Sequence, residues 1–236
     1  MNKESTASIS TGFSILDSEW GGLRRGEVIL FAGRPGMGKT NLMIALCSKI
    51  GKHAKVMLLC LEYRERHFNK LFGAKLNLVE DQLLQTPSQK GFEVSFDYDI
   101  TPAGLLEVAT TKALDVVVID YLQMMEWDRS SLFQDLKDIA QKAKVCILVT
   151  TQIGRKLELR PIEARRPLVK DLFETEVLTE ATIKNVDKIV FLYRIGYYDV
   201  PHERTDTKLM ELNTVQTANN RSSTVALPTS DDFPLY

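Results

Sequence analysis

The octapeptide GRPGMGKT, residues 33–40, has the residue types and spacing that wrap a polyphosphate. Its glycines, Gly33, Gly36 and Gly38, let backbone N–H groups turn inward, with Arg34, Pro35 and Met37 completing the loop. Lys39 supplies a point charge for the terminal phosphates, and the hydroxyl of Thr40 suits Mg²⁺. A helix beginning at Thr40 would add its positive dipole end. The phosphates of a nucleotide, together with Mg²⁺, are therefore the expected ligands. A glycine turn that binds nothing is the plainer reading. The apolar strand before the loop and the helical pattern after it argue against that.

Three further polar residues close apolar runs. Asp120 ends VVVI and so stands at the carboxyl edge of a central strand, where open α/β sheets bind ligands; it is the expected Mg²⁺ partner. Glu62 closes VMLLCL at the same edge and is assigned as the base that activates water. Gln152 ends CILVTT, where its amide would contact the γ-phosphate and report its presence. Without the phosphate loop these three would read as a strand-terminating acid, a solvated glutamate and an ordinary amide. His53, His67 and His202 have neither metal nor triad spacing and read as surface residues. Trp20 and Trp127 read as packing or rim residues, and Tyr197–Tyr198 as an ordinary loop pair rather than a base-stacking platform.

The elements that must position these residues alternate along the chain. Strands are expected at 27–32, 55–61, 92–96 (edge-like), 115–120, 145–152 and 187–194. Helices are expected from Thr40 to about Lys52, through RERHFNKLFGAKL, from Pro102 with Thr101 as its cap, and through SSLFQDLKDIAQKAK. KLMELNTV and STVAL form an antiparallel pair. Apolar runs separated by helices imply right-handed crossovers. The fold class is α/β: a mostly parallel central sheet with helices on both faces and a C-terminal antiparallel extension.

Composition narrows the function class. The 236 residues are 44% hydrophobic and 26% charged, as in a globular domain. Thirty basic against thirty-one acidic residues leave a net charge of −1, which excludes a dedicated duplex-DNA binder and confines any nucleic-acid contact to a local surface. No apolar run is long enough to span a membrane, and the polar start MNKESTASIS lacks a signal-peptide core. Cys47, Cys60 and Cys146 lie in apolar runs without metal spacing and read as buried reduced thiols, so the expected location is cytoplasmic. One domain is expected over 1–236, with a polar arm at about 1–9 and no helical domain ahead of it.

In order, STGFSILD…GGLRRGEVILFAGRPGMGKT, LCLE, VVVIDYLQMM, TTQIGR…RP…DL and VDKIVFLYR closely resemble the RecA-like C-terminal ATPase domain of DnaB-type replicative helicases, from about Ser10 to Leu227. That resemblance implies a RecA-like P-loop NTPase fold. It also implies a homo-hexameric ring that hydrolyses nucleotide between subunits and draws single-stranded DNA through its centre. It supports Lys39 and Thr40 as nucleotide and Mg²⁺ ligands, Asp120 as the outer-sphere acid, Glu62 as base and Gln152 as sensor. Arg194 matches a family arginine near the nucleotide, and Arg155 and Arg160 match positions after the sensor.

The departures are as specific. The segments before VVVID and before VCILVTTQ are shorter than the family norm. The DNA-facing loop reads DLFETE, with Phe173 where an arginine belongs, which is a poor phosphate tracker. The family's trans-acting Lys and Arg align with Gln216 and Ala218. Arg221 replaces them if the loop is re-registered; otherwise it is a solvated loop arginine, the plainer reading. Two classes of function follow. The favoured one is a DNA-dependent ATPase or helicase acting on single-stranded DNA in replication, including a minimal helicase whose ring contacts are rebuilt elsewhere. The other is a nucleotide-binding accessory or regulatory module without helicase activity, acting through a protein partner such as a replicative helicase.

Overall fold

The computed structural model describes residues 8–73, 91–174, 178–194, 196 and 209–228. Eight strands form one sheet: β1 Val28–Gly33, β2 Val56–Cys60, β3 Phe92–Ser95, β4 Val116–Asp120, β5 Cys146–Gln152, β6 Lys188–Tyr193, β7 Leu209–Gln216 and β8 Ser222–Pro228. Their order across the sheet is β3-β2-β4-β5-β1-β6-β7-β8. Strands β1 to β6 run parallel, and two antiparallel pairings, β7 on β6 and β8 on β7, extend the sheet. The expected α/β arrangement is therefore present, down to the edge position of β3.

The sequence explains this division. Strands β1, β2, β4 and β6 are buried at every position, as continuous apolar runs covered on both faces must be. In β7 and β8 burial alternates, because one face of the extension meets solvent. Val28, Leu30 and Ala32 of β1 point to one core, while Ile29 and Phe31 point to the other. The second core is closed by α1 Ser14–Trp20, α2 Lys39–Ile50 and α3 Glu65–Phe68. Helices α4 Pro102–Thr111 and α5 Leu132–Ala143 close the first. A short α6 spans Lys170–Phe173. No helix among the described residues is long and apolar enough to cross a membrane.

Several boundaries move. Helix α2 begins at Lys39 and ends at Ile50, where the chain turns through Gly51. The helix expected through RERHFNKLFGAKL is α3 followed by a π-helical turn, Asn69–Gly73, and the rest of that stretch lies outside the described residues. Helix α5 starts at Leu132 because the Asp128 side chain takes the Ser130 N–H and hydroxyl, fixing a turn ahead of it. Thr101 caps α4 as expected, its hydroxyl accepting the Gly104 N–H at 3.1 Å.

Candidate nucleotide site

Residues 33–40 leave β1 at its carboxyl edge, between β5 and β6. Gly36 and Gly38 have φ of 79° and 87°, left-handed conformations that a side chain would strain. Gly33 lies so close to β6 that a Cβ there would approach the Leu192 carbonyl oxygen to 3.2 Å. Lys39 folds back across the loop, donating from Nζ to the carbonyls of Gly33 at 3.0 Å and Arg34 at 3.1 Å. Burial lowers its pKa to about 8, with the charges of Asp120 and Glu62 resisting the fall. Arg34 contributes its backbone to the loop, whereas its guanidinium is committed to Glu158 and to the Ile153 carbonyl. Pro35 and Gly36 form the exposed crest, and Met37 is buried beneath it.

Asp120 is buried at the end of β4, two strands from the loop. Its Oδ1 accepts the Thr150 hydroxyl of β5. The other carboxylate oxygen, Oδ2, is buried and has no hydrogen-bond partner among the described residues. Burial raises the Asp120 pKa, and the hydroxyls of Thr150 and Thr40 oppose that rise. The Asp120 carbonyl also accepts the N–H groups of Leu61 and Glu62, at 2.7 and 3.2 Å, which sets Glu62 beside it. The Glu62 carboxylate accepts the Thr40 hydroxyl at 2.9 Å. Although Glu62 presents surface to solvent, partial burial of its carboxyl raises its pKa, and the Asp120 charge adds to the effect.

Gln152 ends β5 directly opposite Gly33 of β1. Gln123, in the 3₁₀ turn after β4, donates to the Thr151 hydroxyl at 2.8 Å and braces this strand end. Arg194 is buried just past β6, on the other side of β1. The loop, Thr40, Glu62, Asp120, Gln152 and Arg194 thus meet at one edge of the sheet. Arg155 and Arg160 lie further along the chain after β5; Arg160 pairs with the buried Asp171. Phe173 is half-buried and packs against the core, and Leu172 beside it is fully buried. Glu174 ends the described part of that segment, while 175–177 lie outside it.

A hard cation fits this donor set. The hydroxyl of Thr40, Oδ2 of Asp120 and the Glu62 carboxylate are all oxygen ligands. No cluster of three or more His, Cys, Asp or Glu side chains suited to a metal occurs among the described residues. Mg²⁺ has little need of one, because it takes one or two carboxylates and completes its shell with water and substrate phosphate.

Three contributors have no role assigned from the sequence: Thr150 and Gln123, although they lie within TTQIGR and VVVIDYLQMM, and Glu158. Thr150 follows from register, since Ile119 pairs with Val149 and the next residues along are Asp120 and Thr150. His53 and His67 are exposed as expected, and His202, Tyr197 and Tyr198 lie outside the described residues. Trp20 and Trp127 are both buried. All three cysteines are buried and unbridged, with their thiol pKa values raised by burial.

The family model described as DnaB-like helicase C terminal domain matches residues 8–93 and 103–232. A probable replicative DNA helicase of Trieres chinensis is 26% identical over 269 residues, covering 96% of this chain and 56% of that protein. The replicative DNA helicase DnaB of Buchnera aphidicola subsp. Baizongia pistaciae is 25% identical over 234 residues, covering 85% and 49%. The chain spans about half the length of the curated relatives it matches. Among solved structures, a DnaB-like replicative helicase, described with its interactions with primase, superposes with a TM-score of 0.78 at 21% identity, over 97% of this chain and 61% of that one. The RadB recombinase gives 0.59 at 16% identity, over 95% and 97%. These likenesses show a RecA-like fold.

Proposed function

Since the chain belongs to the DnaB-like helicase C-terminal domain family, we propose that it is an ATPase domain of DNA replication that works on single-stranded DNA. The observation that carries this reading is the convergence of Lys39, Thr40, Glu62 and Asp120 at the edge where residues 33–40 leave the sheet. In this reading the loop's N–H groups and Lys39 hold the phosphates of ATP. Thr40 and Asp120 would hold Mg²⁺, which would supply charge neutralisation at the phosphates. Glu62 takes a proton from the attacking water; its raised pKa brings it nearer to the working pH of a base. Gln152 at the end of β5 and Arg194 just past β6 flank the loop at the same edge, as γ-phosphate sensor and nucleotide contact. A homo-hexamer follows from the family resemblance, with each site completed by a neighbour.

A second reading, a nucleotide-binding accessory module acting through a protein partner, draws support from two observations. Phe173, half-buried against the core, stands where the family's DNA-facing loop has an arginine, and Gln216 and Ala218 stand where its trans-acting cations align. Hydrolysis measured across a protein concentration series, with and without single-stranded DNA, separates the two. The ATPase reading expects a rate that rises with both, and that falls by roughly 10²- to 10⁴-fold in Glu62→Gln. Tight ATP binding with a flat, negligible rate would instead identify the module.

A further inference from the structure

The side chain of Arg34 is turned away from the loop's ligand side and tied to the segment that follows β5. Its Nε and Nη2 both donate to Glu158 Oε1, at 2.9 and 2.7 Å, and its Nη1 donates to the Ile153 carbonyl at 2.8 Å. The residue is 8% exposed. Its backbone faces the other way, with the Arg34 carbonyl accepting Lys39 Nζ. The neighbouring Gly33 carbonyl accepts both Lys39 Nζ and the Ile153 N–H, the latter at 3.2 Å. One stretch of backbone therefore touches the phosphate-seeking ammonium on one side and residues 153–158 on the other.

From there the chain forms a strap that is tied again at its far end. Leu157 anchors it in the core. Arg160 makes a two-pronged pair with Asp171, whose Oδ2 also accepts the Leu168 N–H at 2.8 Å. Lys156 reaches Glu174 at 3.9 Å across the strap. Leu159, 85% exposed, lies between the two ties.

We propose that Glu158 is a positioning residue acting through Arg34, and that this pair transmits occupancy of the phosphate loop to the strap 153–174. The proposal rests on the reading that residues 33–40 bind nucleotide. When Lys39 turns to a bound phosphate it leaves the Gly33 and Arg34 carbonyls, and the backbone between them re-seats. The guanidinium on that same backbone then carries the shift to Glu158 and Ile153. A buried guanidinium that loses its carboxylate keeps a single neutral acceptor, and breaking such a pair costs more than the intact pair contributes. Arg34 therefore drags Glu158 along and does not let it go.

Hydrogen–deuterium exchange tests this, with ATP and Mg²⁺ as the probe. In the wild-type chain, ATP is expected to slow exchange in peptides covering 33–40 and also to change exchange in those covering 153–174. In Glu158→Gln the protection of 33–40 is expected to remain while the response of 153–174 is lost. Arg34→Lys, which keeps the charge but cannot serve Glu158 and Ile153 together, is expected to lose the strap response as well. A strap response of wild-type size in both variants would overturn the proposal. So would a pair that merely staples the strap, seen as equally faster exchange with and without ATP and an unchanged ATP-dependent difference. Absence of ATP protection at 33–40 in the wild-type chain would be a separate failure, removing the nucleotide reading and this inference with it.

Discussion

Lys39 keeps its charge against the pull of burial. Desolvation brings its pKa down to about 8, and the carboxylates of Asp120 and Glu62 prevent a larger fall. Before a phosphate binds, about half of the Lys39 side chains are therefore neutral at pH 8, and about a tenth at pH 7. A polyphosphate beside the ammonium favours the charged form and raises that pKa again. Binding of ATP with Mg²⁺ must then take up close to half a proton at pH 8 and little at pH 7, and affinity must fall as pH rises through 8. Calorimetry in two buffers of different ionisation enthalpy reads the uptake directly. Equal uptake at the two pH values would assign the phosphate charge to another residue. Glu62 responds in the opposite sense. Its raised pKa means that the carboxylate form, and with it the general-base role proposed for it, is lost at a higher pH on acidification than for a solvated glutamate.

At the scale of elements, what holds the site in place is the packing behind it. Phe133 of α5 is fully buried under the sheet, and truncation to alanine is expected to cost about 3–5 kcal/mol. Thr101→Ala removes only the cap of α4, at about 1 kcal/mol. Thermal melts should separate them clearly, because each kcal/mol moves the midpoint of a chain this size by about 2–4 °C. Near-equal shifts would mean that α5 repacks around the lost ring. The same contrast explains what the sequence could reveal. VILFA, VVVI and CILV are apolar throughout, as strands of a sheet covered on both faces are, so the strands and their carboxyl-edge residues Asp120, Glu62 and Gln152 are readable. The cap at Thr101 is readable from a local Thr-Pro pair. Thr150 holding Asp120, Gln123 bracing Thr151 and Glu158 holding Arg34 are not, since each depends on strand register or on a partner far away in sequence. Glu158 is 124 residues from Arg34, and no periodicity marks it.

At the scale of the molecule, the β7–β8 hairpin sets a constraint on how a site can be completed. Gln216 of β7 pairs with Lys188, the first residue of β6, and the Gln216 N–H closes the turn on the Arg221 carbonyl at 2.8 Å. The turn therefore lies at the amino edge of the parallel strands, whereas residues 33–40 leave at the carboxyl edge. Six residues of strand separate those edges by about 20 Å. Arg221 is exposed at that turn and cannot serve the phosphate loop of its own chain; any nucleotide it meets belongs to a neighbour. Mixing two variants tests whether it does. Arg221→Ala keeps the base and loses the cation, and Glu62→Gln keeps the cation and loses the base. In head-to-tail contacts between random equal amounts of the two, about a quarter of the interfaces bring both intact groups together. If the hairpin completes a neighbour's site, each variant alone is nearly inactive and the mixture recovers up to about a quarter of the wild-type rate. Wild-type hydrolysis by Arg221→Ala alone, with no gain on mixing, would return that arginine to solvent and leave the site to be completed by another group.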